Sequence, residues 1–218
     1  HISNGRAILG IGGAWFAEEH EHFGLNFGDG FPERLRWLGE ALPLMRGMLD
    51  GTEPTATGPH YTAKTVRNLP APIQKHLPIV IGGGGEQVTL KLVAKYGDAN
   101  NVGGTPEQVA HKEEVLLKHC AAVGRNPNEI ERTVGIGNVV IRDSAEEAQK
   151  IYAAQFARNG ITPLWENQPV GTPQQLVEHL APYIRLGYKH LICGFSTPHD
   201  EESLVRFAHE VRPALERV

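Results

Sequence analysis

Five times along this 218-residue chain a short strand-like run gives way to a helical pattern. The runs lie at 6–12, 79–81, 98–102, 132–142 and 190–194. Each is followed by apolar residues spaced by three and four, the helix period. Strands that alternate with helices in this way form a parallel sheet covered by the helices. Two α/β architectures fit, an open doubly wound sheet and a (β/α)8 barrel. A barrel needs eight strands and roughly 250 residues, so about three further units would have to precede these five. The chain opens on His1 rather than Met, only a few residues before its first strand. It therefore reads as an internal fragment whose front is absent.

Local signals punctuate the pattern. Thr105-Pro-Glu-Gln108, Ser144-Ala-Glu-Glu147 and Thr172-Pro-Gln-Gln175 are capping boxes that open helices. Pro32 suits the first position of a helix running to about Leu49, with Leu35, Leu38, Leu42, Met45 and Leu49 as its buried stripe and Pro43 as a kink point. Trp15, Glu19 and Phe23 share one face of a shorter helix. Gly97 is expected to end the helix after Gly85, as a C′ glycine would. Leu204, Ala208, Val211 and Leu215 define the last helix. Residues 51–76 form a proline-rich connection within one domain spanning 1–218, with a turn at Gly58-Pro-His-Tyr61. A connection this long is usually functional or covers something.

Charge and composition remove several function classes. The net charge is −4 and there is no basic block, so nucleic acid is not an expected partner. No apolar run approaches the roughly 18–20 residues of a membrane span, and the start lacks a secretory signal. Cys120 and Cys193 have no CxxC spacing and read as buried thiols of a cytoplasmic protein.

The richest site signal is Leu77-Pro-Ile-Val-Ile-Gly-Gly-Gly-Gly-Glu-Gln-Val-Thr89. A β-branched strand stops at Gly82 to Gly85, and a helix follows. Glycines let the backbone approach a ligand closely, and the helix start offers unpaired N–H groups and the positive end of its dipole. Phosphate is the usual occupant of such a site. The loop lacks the Lys-Ser/Thr of a Walker A motif, and Gly10-Ile-Gly12-Gly13 lacks the third glycine of a dinucleotide fingerprint. His20 and His22 stand two apart, so they face different sides of a helix, and HExxH is absent; no metal site is expected. The remaining histidines share no spacing, and no nucleophile elbow appears.

Taken together, four stretches resemble the luciferase-like monooxygenase superfamily and, within it, the oxidoreductases that use the deazaflavin coenzyme F420. They are 4–15 with Glu19 and Phe23-Gly24; Glu33-Arg34 with Leu38 and Glu40-Ala41-Leu42; Gly58-Pro-His-Tyr61 with Pro70 to Gln74 and Pro78 to Gly85; and 90–101 with Ala94, Gly97-Asp98 and Asn101. Gly171-Thr-Pro173 and the closing helix agree.

The resemblance implies a TIM barrel of the luciferase-like type, here incomplete and holding about strands 4 to 8. It implies that Gly83, Gly84, Gly85, Glu86 and Thr89 line a cofactor phosphate site. Gly12, Gly13 and Ala14 would flank the cofactor ring, and Asn100 and Asn101 would lie on the substrate side. No catalytic base carries over. The implied reaction is hydride transfer between F420 and a small organic substrate. An FMN-dependent monooxygenase is the near alternative, and a non-catalytic barrel fragment, open on one flank and prone to associate, is the alternative of another class. Family members are often homodimers.

Overall fold

The computed structural model describes residues 1–164, 166–196 and 199–218. The chain forms two compact units. One holds residues 1–101 and 112–131, the other 102–111 and 132–218.

In the first unit, β1 (Leu9–Ile11), β4 (Ile79–Gly82) and β5 (Ala99–Gly103) pair in parallel. Their register places Ile11 beside Ile81 and Gly82 beside Asn101. The first strand is shorter than the expected run from Arg6, because Arg6 folds back onto Ser3 through its amide and its guanidinium. Between β1 and β4 come α1 (Ala17–His22), α2 (Phe31–Leu49) and a small antiparallel hairpin, β2 (Ala56–Thr57) with β3 (Thr62–Ala63). The hairpin turn is the Gly58–Tyr61 stretch, closed by a bond from the Gly58 amide to the Tyr61 carbonyl.

The expected stripe of α2 is buried at Leu35, Leu38 and Leu42. It packs with Ile79 and Ile81, with Leu92, Val93 and Ala94 of α3 (Thr89–Tyr96), and with Leu116 and Cys120 of α4 (Pro106–Val123). Removing this apolar surface from water is the main stabilising term of the unit. The Thr105 capping box forms in both directions, with Gln108 Oε1 accepting from the Thr105 amide and Thr105 Oγ1 accepting from the Gln108 amide.

Gly97 ends α3 as expected, with an extended backbone at φ −80° and ψ 138°. Its requirement is space: a Cβ there would lie 3.2 Å from the Val93 carbonyl oxygen and 3.3 Å from that of Ala99. The helix expected to carry Trp15, Glu19 and Phe23 on one face is shorter, Ala17–His22, and leaves Trp15 and Phe23 outside it, 85% and 75% exposed.

In the second unit, β6 (Glu131–Asn138) pairs in parallel with β9 (His190–Gly194), and β7 (Val140–Ile141) with β8 (Val170–Gly171). Thus 132–142 is broken at Val139, whose amide turns to the Gly194 carbonyl. Helices α5 (Ala145–Arg158) and α6 (Pro173–Arg185) begin at their expected caps, Ser144 and Thr172. The loop 159–170 joins α5 to β8, apart from Trp165, which lies outside the described residues.

The closing helix is α7 (Glu201–Arg206), a π-helical stretch Phe207–Val211 and α8 (Arg212–Leu215). A π turn holds an extra residue and rotates everything before it relative to everything after it. Val211 and Leu215 are buried as expected, but Ser203 takes the inward position and Leu204 is exposed.

His179 and Tyr183 of α6 sit at a polar junction in this unit. Tyr183 OH donates to the Gly104 carbonyl at 2.8 Å and accepts from Asn167 Nδ2 at 2.9 Å. His179 Nε2 is buried and has no partner among the described residues. Burial pushes the His179 pKa down, only partly opposed by a hydrogen bond involving the Asn167 backbone. The folded state therefore holds this ring neutral where the unfolded chain, with a histidine pKa near ~6.5, takes up a proton. Stability contributed by His179 is present above ~6.5 and is lost as pH falls below it, by at most about 1.4 kcal/mol per pH unit. His179→Asn removes the titration. Urea melts at pH 7.5 and 5.5 should show the parent losing stability relative to this variant on acidification; an unchanged gap would contradict the assignment.

Candidate functional site

Parallel pairing of β1 with β4 brings two glycine-rich strand ends together. A Cβ on Gly12 would lie 3.4 Å from the Gly82 carbonyl oxygen. One on Gly13 would meet Leu35 Cδ2 at 2.9 Å and the Phe31 ring at 3.0 Å, so the chain crosses the start of α2 with no room for a side chain. Ala14 follows in the left-handed region, φ +55°, which is uncommon outside glycine and marks a constrained turn.

The loop after β4 runs through Gly83, at φ +119°, to a turn at 86–88, and α3 starts at Thr89 rather than directly after the glycines. The Gly83 amide donates to the Asn101 carbonyl at 2.8 Å. Among the described residues, no backbone carbonyl accepts from the amides of Gly84 and Gly85. Thr89 is buried, with its hydroxyl 2.9 Å from where a Gly85 Cβ would stand. The loop is thus held from beneath while two amides remain for a ligand, as an anion cradle requires.

Residues outside the expected set complete this cradle. Lys112 of α4 lies over Gly84: a Cβ there would be 2.8 Å from its Cε and 2.9 Å from its Nζ. His119, seven residues further along the same helix, donates from Nε2 to the Glu86 carbonyl at 2.7 Å. The i, i+7 spacing of two basic residues on the helix that follows β5 is the only sequence signal that pointed to them.

Asn100, expected near the substrate side, is tied into the glycine loop by its side chain. It is buried at 2% exposure, and its amide donates to the carbonyls of Ile81 and Gly83 at 3.1 and 3.2 Å. A buried amide must find acceptors, and bonding these two carbonyls lets this polar residue brace the loop. Asn101 is half-buried and braces the same loop through its backbone carbonyl.

Beside Gly12, Gly13 and Ala14 opens a cavity of about 240 Å³, lined also by His20, Arg34, Trp37, His60 and Tyr61. The sequence did not bring these five together, because they come from α1, α2 and the hairpin turn. Among the described residues no group of three or more His, Cys, Asp or Glu is placed to hold a metal ion. Nor, among the described residues, is any helix long and apolar enough to cross a membrane.

Comparison with known proteins agrees with this organisation. The model of the luciferase-like monooxygenase family matches residues 1–168. An uncharacterized protein of Mycobacterium tuberculosis is 28% identical over 88% of this chain, which spans 62% of that relative's length. An F420-dependent glucose-6-phosphate dehydrogenase of Microbacterium testaceum is 25% identical, covering 98% of this chain and 70% of the relative. Among solved structures, an F420-dependent secondary alcohol dehydrogenase in complex with an F420–acetone adduct superposes with a TM-score of 0.77 at 18% identity, over 97% of this chain and 70% of the other. The FMN-bound oxygenating constituent of 3,6-diketocamphane monooxygenase from Pseudomonas putida gives 0.70 at 18% identity, over 98% and 72%. With its parallel strand–helix units ending in glycine loops, the chain belongs to the luciferase-like monooxygenase family.

Proposed function

We propose that this chain carries the cofactor site of an F420-dependent oxidoreductase, which moves a hydride between the deazaflavin and a small organic substrate. The observation that carries the reading is the cradle at Gly84 and Gly85: two amides without a backbone acceptor, with the Lys112 side chain over Gly84. These groups suit a phosphate, which both F420 and FMN possess. Relatives of both kinds align across 98% of this chain, and the deazaflavin is preferred on the higher identity of the F420-dependent dehydrogenase, 25% against 22%.

In this reading Gly84, Gly85 and Lys112 hold the phosphate, with Glu86 and Thr89 shaping the turn beneath it. Gly12, Gly13 and Ala14 offer a surface without large side chains against which a flat ring can lie. The bound cofactor supplies the hydride chemistry, and the protein supplies orientation and exclusion of water. Asn100 and Asn101 act through the loop they brace rather than on substrate. No side chain is assigned as a proton donor or acceptor. Fluorescence titration of the full chain with F420 and FMN in parallel tests the reading. Saturable binding of F420 is expected. Binding of FMN alone would convert the reading to a flavin monooxygenase, and binding of neither would remove the cofactor site.

A further inference from the structure

We propose that the cavity beside Gly13 binds a small planar monocarboxylate, held by Arg34 against an aromatic wall. The guanidinium of Arg34 stacks on Phe27, 3.8 Å from ring centroid to Cζ, with the Phe31 ring at 5.5 Å. Its Nε donates to the Gly13 carbonyl at 3.1 Å and its Nη1 to the Phe27 carbonyl at 3.2 Å. These contacts fix the plane of the guanidinium and leave Nη2 as its third nitrogen. Neutral carbonyls do not cancel the charge, and among the described residues no carboxylate lies within ion-pair distance of it. A half-buried cation lining a cavity without a counter-charge is best satisfied by an anion from outside, and Arg binds carboxylates through its planar fork.

The rest of the lining sets the body of the ligand. The turn at Gly58–Tyr61 is clamped by the Glu40 carboxylate, whose Oε2 accepts from the amides of both His60 and Tyr61 at 3.1 Å. That clamp holds His60 stacked on Trp37, with ring centroids 3.9 Å apart and planes within 11°, and Tyr61 edge-on to His60 at 4.5 Å. On another side, His20 is fixed by its bond to the Phe16 carbonyl at 2.9 Å and by its contact with Phe27. Flat, preorganised rings and the apolar side chains of Ile11, Leu38 and Ala41 suit a planar apolar body. At about 240 Å³ the cavity is below the usual ~300–1,000 Å³ range for ligand sites, so the ligand is small. A ring bearing one carboxylate meets these requirements.

That this ligand is the substrate rests on the proposed cofactor position at Gly12–Ala14; its binding does not. The test is therefore run without cofactor, titrating the full chain with benzoate and with its neutral isostere benzamide by ligand-observed NMR. Benzoate should bind at least about tenfold more tightly than benzamide. Arg34→Gln should abolish that preference. His60→Ala, which leaves Arg34 untouched, should weaken both ligands several-fold while the preference survives. Equal affinity for the two ligands in the parent, no saturable benzoate binding, or a benzoate preference that survives Arg34→Gln would overturn the proposal. If Arg34→Gln fails to fold by circular dichroism, the parent's ratio and the His60→Ala result decide it. Failure of F420 and FMN to bind would remove the cofactor reading and leave this one standing.

Discussion

Arg142→Ala should destabilise the folded chain by about 3–5 kcal/mol, the range for breaking a buried ion pair from one side. Arg142 is 8% exposed, and its Nη2 reaches both carboxylate oxygens of Asp200 at 3.1 and 3.0 Å. Nη1 donates to the Ile141 carbonyl and to Ser203 Oγ. Asp200 in turn accepts from the Ser203 amide and hydroxyl and from Gln155. The network joins β7, α5 and the start of α7, so its loss leaves a buried carboxylate and several donors unpaired. Asp200→Ala should cost about as much, and the double variant less than the two summed, because the second truncation removes the charge that the first stranded. Burial pushes the Asp200 carboxyl up, but hydrogen bonds from Arg142 and Ser203 outweigh it and hold the group below the ordinary carboxylate range. The stability it contributes is present above the unfolded value near ~3.9 and is lost as pH falls through the depressed folded value. Urea melts at pH 7 should show the full loss, and the gap between parent and variant should close under strong acid. A loss below about 1 kcal/mol at pH 7 would show that the pair is solvated.

None of that network is visible in the sequence. Arg142 and Asp200 are 58 residues apart, and Arg142 reads only as the polar end of a β-branched run. The local features were legible for a physical reason. The caps at Thr105, Ser144 and Thr172, the stripe of α2 and the strand at 79–81 depend on neighbours within four residues, and the structure holds them where the pattern put them, although Ser144 forms only the forward bond of its box. The alternation of strand and helix gave parallel pairing, since a helix between two strands returns the chain to the same end.

What failed were inferences that extend a period through an irregularity. Leu204 was placed inside by counting back from Val211, but the π turn between them moved Ser203 into that position. The bracing role of Asn100 was not legible either: only the cross-strand register shows that its amide reaches the carbonyls of Ile81 and Gly83. The convergence of His20, Arg34 and His60 on one cavity depends on how α1, α2 and the hairpin fold over β1, and no spacing rule carries that.

The glycine loop gives the second large effect, and it separates binding from stability. At Gly84 the backbone is not left-handed, and the atoms a new Cβ would meet are the flexible end of Lys112. Gly84→Ala should therefore fold with little change, about ±0.5 kcal/mol, while pushing the ammonium off the loop. Lys112→Ala removes the same charge without touching the glycine. Each should weaken a phosphate-bearing cofactor by about 10–100-fold, the equivalent of one lost hydrogen bond to a charged group. Gly85→Ala differs: its Cβ would stand 2.9 Å from the hydroxyl of buried Thr89, so both folding and binding should suffer. The decisive control is a cofactor stripped of its phosphate, riboflavin beside FMN and the dephosphorylated deazaflavin beside F420. If Lys112 holds the phosphate, its loss leaves the stripped ligands unaffected and makes the intact ones less sensitive to salt. Equal weakening of stripped and intact ligands would place Lys112 against the ring or the fold instead, and the anion cradle would be reduced to the two glycine amides.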